Sequence, residues 1–338
     1  MRALILFLIP CLSLAAPGQI STRVGSSSST GRANIDFVGR VENTNAFTTT
    51  FLMKSPTFLD NSIVIRAAAT RAKNDYSNYI LRDRFGRETF LSKSFNTDEK
   101  NLDSGLDFTR GAHLASFTHS RSVGATPFPY HSNTISYALS LWNGASQAGA
   151  AFSSSRQEQP ANFYIDPRNF RNRERARSLT SQREELFYEQ TITEKFKSRA
   201  TLFHGNRFED RPTHLGGELR LAYALLDNLA LRLDSGLLRE SRKEVLRDDR
   251  GYFSARWAEL QVGYEPALDL VVTVALGTTI EHEDTPWDNI RRQVGSDSFG
   301  TKLSYRRGSW LANLAANSSI TNTSYRNRSF SGEFTWEL

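Results

Sequence analysis

An arginine-rich segment in the middle of the chain has the residue types best suited to bind a charged ligand. The segment Arg156–Arg183 holds seven arginines against three acidic residues, a local charge of 7 − 3 = +4. A guanidinium group presents a rigid fork of donors that matches carboxylate and phosphate oxygens. The segment therefore predicts anion binding, and its central candidates are Arg168, Arg171, Arg173, Arg175 and Arg177.

The sequence shows no catalytic constellation. None of the six histidines lies in a His-x-Ser element, and in an extended His131-Ser132 pair the two side chains would point to opposite faces. The sequence has no Gly-x-Ser-x-Gly turn, no His-Glu-x-x-His motif and no phosphate-binding loop. We therefore expect no enzymatic activity, no catalytic residue and no cofactor.

One acidic cluster has residue types that could hold a divalent cation or form a pair of catalytic carboxylates. It consists of Glu281-His282-Glu283-Asp284, with Asp288 nearby. Nothing in its spacing demands the geometry of a metal site. We interpret it as part of a solvated loop and expect no metal site.

The N-terminus predicts export. Met1-Arg2 precedes an apolar stretch from Ala3 to Leu14, and Ser13-Leu14-Ala15 places small residues at a cleavage site. Residues 1–15 therefore predict a signal peptide, which is too short to span a membrane. Its Cys11 is the only cysteine of the chain, so the mature protein would have no thiol chemistry. Residues 16–31 are rich in Ser, Thr and Gly, and we interpret them as a flexible leader.

The composition argues against two classes of protein. With a mean hydropathy of −0.46 and 39% hydrophobic residues, the chain is too polar for a helical membrane protein. Its formal charge of +6 is spread along the chain, which gives no nucleic-acid signature. We expect no nucleic-acid partner.

The elements that must position these residues are strands. Segments of roughly ten residues alternate in polarity and end in turns, which is the pattern expected of transmembrane strands with one face on lipid and one on a lumen. In Gly217–Leu226 and Asn228–Arg239, for example, leucines share one face. The opposite faces predict these lumen charges: Glu218, Arg220, Arg232, Asp234 and Lys302.

The links between predicted strands alternate between short and long, as in up-and-down barrels. The short links are Leu226–Asn228, Glu265–Ala267, Arg306–Ser309 and Asn143–Ser146. The long links are Asn206–His214, Ser241–Arg250, His282–Ser296, Thr321–Arg328 and the arginine-rich Arg156–Arg183. Residues 32–338 therefore predict an all-β fold, a transmembrane antiparallel up-and-down β-barrel.

We expect about sixteen strands. Thirteen follow Leu102, and Ala33–Glu42, Asn45–Lys54 and Ser62–Lys73 supply three more. An extra hairpin of Asn78–Arg84 and Glu88–Phe95 would give eighteen, and assigning the first two strands to the leader would give fourteen. In the hairpin around Leu226–Asn228, the register predicts that Arg220 lies opposite Asp234 in the lumen.

The C-terminal segment Ser331–Leu338 resembles the terminal β-signal of Gram-negative outer-membrane β-barrel proteins. It combines a glycine with alternating hydrophobic residues, namely Gly332, Phe334, Trp336 and Leu338, although Leu338 stands where the family usually has Phe. The resemblance implies an outer-membrane location, a periplasmic leader, and recognition by the barrel assembly machinery. Aromatic residues near predicted periplasmic ends fit an interfacial girdle: Trp142, Trp310, Trp336, Tyr264 and Tyr305.

Three functions stay open at this point. A porin-like channel for small polar or anionic solutes is favoured by a mixed-charge lumen in a barrel of this size. The alternatives are a non-conducting surface barrel whose loops bind lipopolysaccharide or a protein partner, and a barrel enzyme. The arginine-rich segment could narrow the pore and favour anions, bind lipopolysaccharide phosphates, or remain a mobile loop. Outer-membrane lipid is an expected partner, and a homo-oligomer is suggested only by analogy with trimeric porins.

Overall fold

The computed structural model describes residues 18–35, 39–55, 57–58, 62–82, 88–123, 130–159, 177–207, 213–243, 250–286, 290–322 and 326–337. The predicted signal peptide, residues 1–15, lies outside these residues. Among the described residues, no helix has the length and apolar character needed to cross a membrane.

Sixteen antiparallel strands form a closed barrel in which each strand pairs with its neighbours in sequence and the first pairs with the last. This confirms the predicted all-β fold and the strand count of sixteen. The strands are β1 (Gln19–Ile35), β2 (Gly39–Lys54), β3 (Ile63–Arg82), β4 (Glu88–Arg110), β5 (His113–Ser122), β6 (Tyr130–Leu141), β7 (Ser146–Gln159), β8 (Arg177–Thr193), β9 (Phe196–Arg207), β10 (Thr213–Leu226), β11 (Leu229–Lys243), β12 (Arg250–Ala267), β13 (Leu270–Thr285), β14 (Ile290–Arg307), β15 (Trp310–Thr321) and β16 (Arg326–Glu337).

The interpretation of residues 16–31 as a flexible leader is wrong from Gln19 onward. Those residues belong to β1, which closes the barrel by pairing with β16 from Gln19↔Glu337 to Thr30↔Arg326. Side chains support the seam, because the Thr335 hydroxyl donates to Ser21 and the Ser21 hydroxyl donates to Glu333, both at 3.2 Å. Hydrogen bonds to the two neighbouring strands satisfy the backbone N–H and C=O groups of this polar segment. In a free leader these groups would be hydrated instead.

The predicted boundaries of the first strands are also wrong. The predicted strand Ala33–Glu42 spans the end of β1 and the start of β2, and β2 runs through Asn43 and Thr44, the two residues that separated the first two predicted strands. The proposed extra hairpin does not exist as separate strands, because its two segments are the far ends of β3 and β4. Backbone pairing does not depend on side-chain polarity. The strands therefore continue past the predicted limits into segments where apolar and polar residues no longer alternate.

One end of the barrel, which we call the turn end, carries tight turns between consecutive strands. The first residue of β1 and the last residue of β16 also lie at this end. Two-residue turns such as Asp227-Asn228, Leu268-Asp269 and Gly308-Ser309 connect the strands there. Gly308 has φ 58° and Asp269 has φ 72°, a region that tight turns require and that glycine adopts without steric cost. The other end, the loop end, carries most of the undescribed connections. The long link predicted over His282–Ser296 is wrong, because β13 extends to Thr285 and β14 begins at Ile290.

The two faces of the sheet differ as a barrel in lipid requires. Large apolar side chains on one face are exposed, among them Leu202, Leu219, Leu237, Leu276 and Phe330, and this face is the convex outer surface. All five aromatic residues of the predicted girdle are exposed and lie near the turn end: Trp142, Tyr264, Tyr305, Trp310 and Trp336. The rings of Trp310 and Trp336 stack on neighbouring strands with centroids 5.2 Å apart.

Candidate functional site

The inner face of the barrel carries the polar side chains that alternate with the outer apolar ones. Directly opposed residues of neighbouring strands share a face, so the register assigns each side chain to the lumen or the outside. By this assignment the five predicted lumen charges lie on the inner face: Glu218, Arg220, Arg232, Asp234 and Lys302.

The predicted contact between Arg220 and Asp234 is confirmed. The two residues are directly opposed in the β10–β11 hairpin, and the Arg220 Nε donates to the Asp234 Oδ1 over 2.7 Å. The Arg232 Nη2 lies 2.6 Å from the other carboxylate oxygen of Asp234. Asp234 therefore holds two guanidinium groups at fixed positions on the lumen surface.

The inner faces of β8–β13 form a wall rich in ionisable and aromatic side chains, which we call the charged wall. Glu189 and Arg199 pair across β8 and β9 with 3.5 Å between nitrogen and oxygen, and Glu283 of β13 pairs with Arg292 of β14 over 2.7 Å. Between them lie Glu218, Arg220, Asp234 and Glu259 on successive strands. Cations and acids thus alternate irregularly across six strands.

Glu240 of β11 is the most deeply buried member of the charged wall. Its exposure is 1%, although it carries a carboxylate. The His214 Nδ1 lies 2.9 Å from Glu240 Oε1, and the Arg242 Nη2 lies 3.2 Å from Glu240 Oε2. Because each carboxylate oxygen has a partner with donor capacity, the burial of this group is offset by hydrogen bonding.

Aromatic rings of the charged wall lie on glycines of neighbouring strands. Phe203 faces Gly216, Trp257 faces Gly236, and in each case a Cβ added to the glycine would overlap the ring. Guanidinium groups cover three of the described inner rings: Arg183 lies 4.0 Å from the centroid of Phe203, Arg199 lies 4.5 Å from that of Phe187, and Arg242 lies 5.2 Å from that of Phe253. Such cation–π stacks hold long arginine side chains against the wall.

The inner faces of β5–β7 form a contrasting surface, which we call the small-residue wall. Its members with described side chains are Leu114, Ser116, Thr118, Ser120, Ser122, Tyr130, Ser132, Thr134, Ser136, Ala138, Ser140, Gln147, Gly149, Ala151, Ser153 and Ser155. The hydroxyls of Ser116 and Ser136 lie 2.7 Å apart across β5 and β6. None of these side chains carries a charge, and most are short.

The inner wall is not packed like a protein core. Within the described ranges, the buried hydrophobic residues are Ala138, Phe203 and Ala255. Most other inner side chains keep part of their surface accessible. The described strands therefore line a space that their own side chains do not fill, with small hydroxyls on one side and charges on the other.

The arginines predicted to bind anions are placed only in part. Arg168, Arg171, Arg173 and Arg175 lie outside the described residues, and Arg177 begins β8 without a described side chain. The predicted loop Arg156–Arg183 is too long, because Arg156 belongs to β7 and Arg183 to β8. The pore-constriction hypothesis thus stays a prediction.

The acidic cluster of β13 does not converge on one point. Successive strand residues alternate, so Glu281 and Glu283 face the lumen while His282 and Asp284 face outward. The described residues contain no group of metal-ligating side chains. The predicted solvated loop is therefore wrong for Glu281–Asp284, which are strand residues.

The predicted assembly signal lies on the last strand. Gly332, Phe334 and Trp336 share the outer face of β16, where Phe334 and Trp336 are exposed, and Leu338 lies outside the described residues. Recognition by the assembly machinery stays a prediction.

Sequence reasoning missed the Glu240 group and the rings seated on glycines. The predicted strands ended inside the true ones, so His214 and Arg242 were assigned to loops although both continue the lumen alternation of β10 and β11. Extending the alternation by a few residues would have found them. The glycine–ring contacts involve register between strands and have no local sequence signal.

Comparison with known proteins identifies the fold. No protein-family model matches the sequence, and no curated protein matches it. Among solved structures, a bacterial polysaccharide outer-membrane secretin aligns with a TM-score of 0.55 at 11% identity, covering 94% of this chain and 98% of the other. CdiB from Acinetobacter baumannii aligns with a TM-score of 0.54 at 9% identity, covering 94% of this chain and 60% of that one. At these identities the likeness concerns the barrel fold alone.

Proposed function

Because the chain is a closed sixteen-stranded antiparallel barrel like those of outer-membrane proteins, we propose that it spans the outer membrane and conducts small polar solutes. The observation that carries the proposal is the polar, partly accessible inner wall, with few buried apolar side chains among the described residues. Barrels of sixteen strands are wide enough to leave an aqueous path. The polysaccharide in the name of one structural neighbour belongs to that protein, and the proposal takes no solute from it.

The preference for anions rests on the arginine-rich connection and not on the charged wall. Leaving Arg177 with the arginine-rich segment, the charged wall has seven basic residues by register: Arg183, Lys197, Arg199, Arg207, Arg220, Arg232 and Arg242. Its eight acidic residues are Glu185, Glu189, Glu218, Asp234, Glu240, Glu259, Glu281 and Glu283, so that 7 − 8 = −1. A wall of this balance does not favour anions. The five arginines from Arg168 to Arg177 would supply that preference by lining the path.

Single-channel recording in planar bilayers tests conduction. The only native cysteine is Cys11 of the predicted signal peptide, so cysteines introduced into the mature chain would be unique. Thr134 lies on the inner face of β6, and its neighbour Ile135 is 57% exposed on the outer face. We expect discrete openings, and a cationic thiol reagent should lower the conductance of Thr134→Cys but not of Ile135→Cys. A folded barrel without openings would favour the non-conducting alternative.

Ion selectivity tests the role of the arginines. Replacing all five arginines from Arg168 to Arg177 with glutamine should move the reversal potential in a salt gradient toward cation preference. A matched control replaces five arginines of the outer face: Arg239, Arg256, Arg291, Arg326 and Arg328. An unchanged reversal potential in the first variant, or an equal shift in the control, would exclude these arginines as the source of selectivity.

A further inference from the structure

Basic side chains gather on the outer face of the barrel, just beyond the apolar surface of β3–β7. All of them are exposed. We call this group the outer basic patch, and its members are Arg71, Lys73, Lys100, Arg121, His131 and Arg156. They span five neighbouring strands, so the patch is broader than any single side chain could cover.

The register brings members of the patch into direct opposition. Arg71 lies opposite Lys100, and His131 lies between Arg121 and Arg156 on the strands at either side. Directly opposed Cβ atoms are about 4.5–5.5 Å apart, and like charges at that spacing destabilise a sheet. The fold therefore maintains a concentration of positive charge that an external anion would relieve.

Acidic side chains neutralise only part of the patch. On this face of β3–β7 three acidic residues hold register positions near the patch, namely Asp75, Asp98 and Glu158, and Glu158 lies two positions beyond Arg156 on β7. Arg71 holds Asp98 through two contacts, Nε to Oδ1 at 2.8 Å and Nη2 to Oδ2 at 2.6 Å. Five permanent cations against these three acids leave 5 − 3 = +2, with His131 left out of the count.

The patch ends a gradient of polarity on β5–β7. An apolar row comes first, with Phe117 41%, Ile135 57% and Phe152 41% exposed. Two residues further along each strand, a polar row contains His119 and Asn133, whose Nδ1 and Oδ1 atoms are 2.8 Å apart. The row of Arg121, His131 and Arg156 follows. Each step is about 6.6–6.8 Å along a strand.

Three outer-face arginines elsewhere on the barrel lack this grouping. Arg239 lies between Leu215 and Ser254, Arg256 between Leu237 and Ile280, and Arg328 between Ser28 and Ser318. Each of them has neutral residues directly opposite on both neighbouring strands. Lys243 and Arg250 are also directly opposed on the outer face, but that pair involves two strands, whereas the outer basic patch spans five.

The geometry points to a binding site for the phosphorylated headgroup of a glycolipid in the surrounding leaflet, namely lipopolysaccharide. Its acyl chains would lie along the apolar row, its sugars along the row of His119 and Asn133, and its phosphates on the outer basic patch. Guanidinium and ammonium groups form strong charge-assisted bonds with phosphate oxygens. This inference rests on the proposed membrane location and is independent of conduction.

A pair of charge-matched variants tests the site. The patch variant carries Lys100→Gln, Arg121→Gln and Arg156→Gln, and the control carries Arg239→Gln, Arg256→Gln and Arg328→Gln. Binding of fluorescent lipopolysaccharide to protein in neutral detergent micelles is measured by thermophoresis. A basic residue near an anionic lipid surface contributes about fivefold in affinity, so the patch variant should bind on the order of a hundredfold more weakly. The control should bind as the unmodified protein does.

Two further measurements identify the ligand chemistry. Lipopolysaccharide treated with phosphatase should bind as weakly as the patch variant, and phosphatidylglycerol should compete poorly because it carries one phosphate and no sugar pair. Lipopolysaccharide binding should persist when a chelator removes divalent cations, since side chains supply the positive charge that the phosphates contact. Equal loss in both variants, or full binding of dephosphorylated lipid, would overturn the inference. A heat-dependent gel shift confirms folding, and single-channel conductance reports separately on the proposed channel.

Discussion

The charged wall and the small-residue wall reach a polar lumen surface by different chemistry. Across the charged wall, cations and acids contact each other directly, as in the 2.7 Å bond from Arg220 to Asp234. Across the small-residue wall, the contact of this kind is between hydroxyls, as in the 2.7 Å pair of Ser116 and Ser136. Both walls alternate with the same outer apolar pattern, so polarity alternation alone does not distinguish them.

The difference predicts how each wall responds to change. A serine hydroxyl that loses its partner can turn toward water in the lumen, at a cost of about 1 kcal/mol. A buried carboxylate that is removed leaves its cationic partners uncompensated, which costs several times more. We therefore expect the charged wall to be sensitive to substitution, and the small-residue wall to tolerate substitution and to provide width.

The largest expected effect is at Glu240. Glu240→Ala would leave His214 and Arg242 without the carboxylate that both contact. Breaking a buried pair of this kind costs about 3–5 kcal/mol of unfolding free energy. Urea unfolding of the refolded barrel in micelles measures it, with Ser136→Ala of the small-residue wall as the control, for which we expect about 1 kcal/mol or less. Similar losses in the two variants would remove the distinction between the walls.

The glycine beneath Trp257 gives the next effect. A Cβ at Gly236 would overlap the indole ring, so Gly236→Ala should displace the ring and cost about 1–3 kcal/mol. Gly263 lies on the same inner face, and its added Cβ would meet nothing nearer than 3.9 Å. Gly263→Ala should therefore stabilise the strand by about 0.5–1 kcal/mol. The same unfolding measurement decides, and losses of equal size would show that ring seating is unimportant.

The barrel and part of its lumen could be predicted because their determinants are local. In the β10–β11 hairpin, a short turn fixes the pairing, and leucines on one face exclude a slip of one residue. That is why the contact of Arg220 with Asp234 followed from the sequence. Glu240 lies three residues further from the turn than Leu237, and it contacts His214 in the same register. The predicted strand had already ended at Arg239, so this contact was missed.

The first strand could not be predicted in the same way. The outer face of β1 carries the polar residues Thr22, Ser26 and Ser28 between its few apolar residues. The alternation of apolar and polar residues that marks the other strands is therefore absent. Its position comes from pairing with β16 across more than 300 residues of chain and with β2. A contact of that sequence separation leaves no trace in local polarity.

A double-mutant cycle at Arg220 and Asp234 sharpens the comparison at the accessible part of the charged wall. The Arg220 side chain is 49% exposed, so lumen water screens the pair. We expect a coupling free energy of about 0.2–1 kcal/mol from Arg220→Gln, Asp234→Asn and the double variant. A coupling as large as the Glu240 effect would show that the lumen excludes water, which would count against an open path.

The smallest expected effect is at the ion pair outside the lumen, Arg71 and Asp98, where the same chemistry lies exposed on the outer face of the barrel. The hydrogen bond from Arg71 holds the pKa of Asp98 below its usual value. A depressed folded-state pKa stabilises the barrel above the unfolded pKa of about 3.9, and the contribution is lost as the pH falls through the lower folded value. The thermal unfolding midpoint should therefore fall between pH 5 and 2 slightly more in the unmodified protein than in Asp98→Asn. The difference should shrink at about 1 M salt, because exposed charges are screened there. Identical acid profiles at low salt would show that this pair contributes nothing to stability. A difference that persists at high salt would show that the pair is not screened by solvent. Exposure to water would then not explain why ion pairs inside and outside the lumen differ in their contribution to stability.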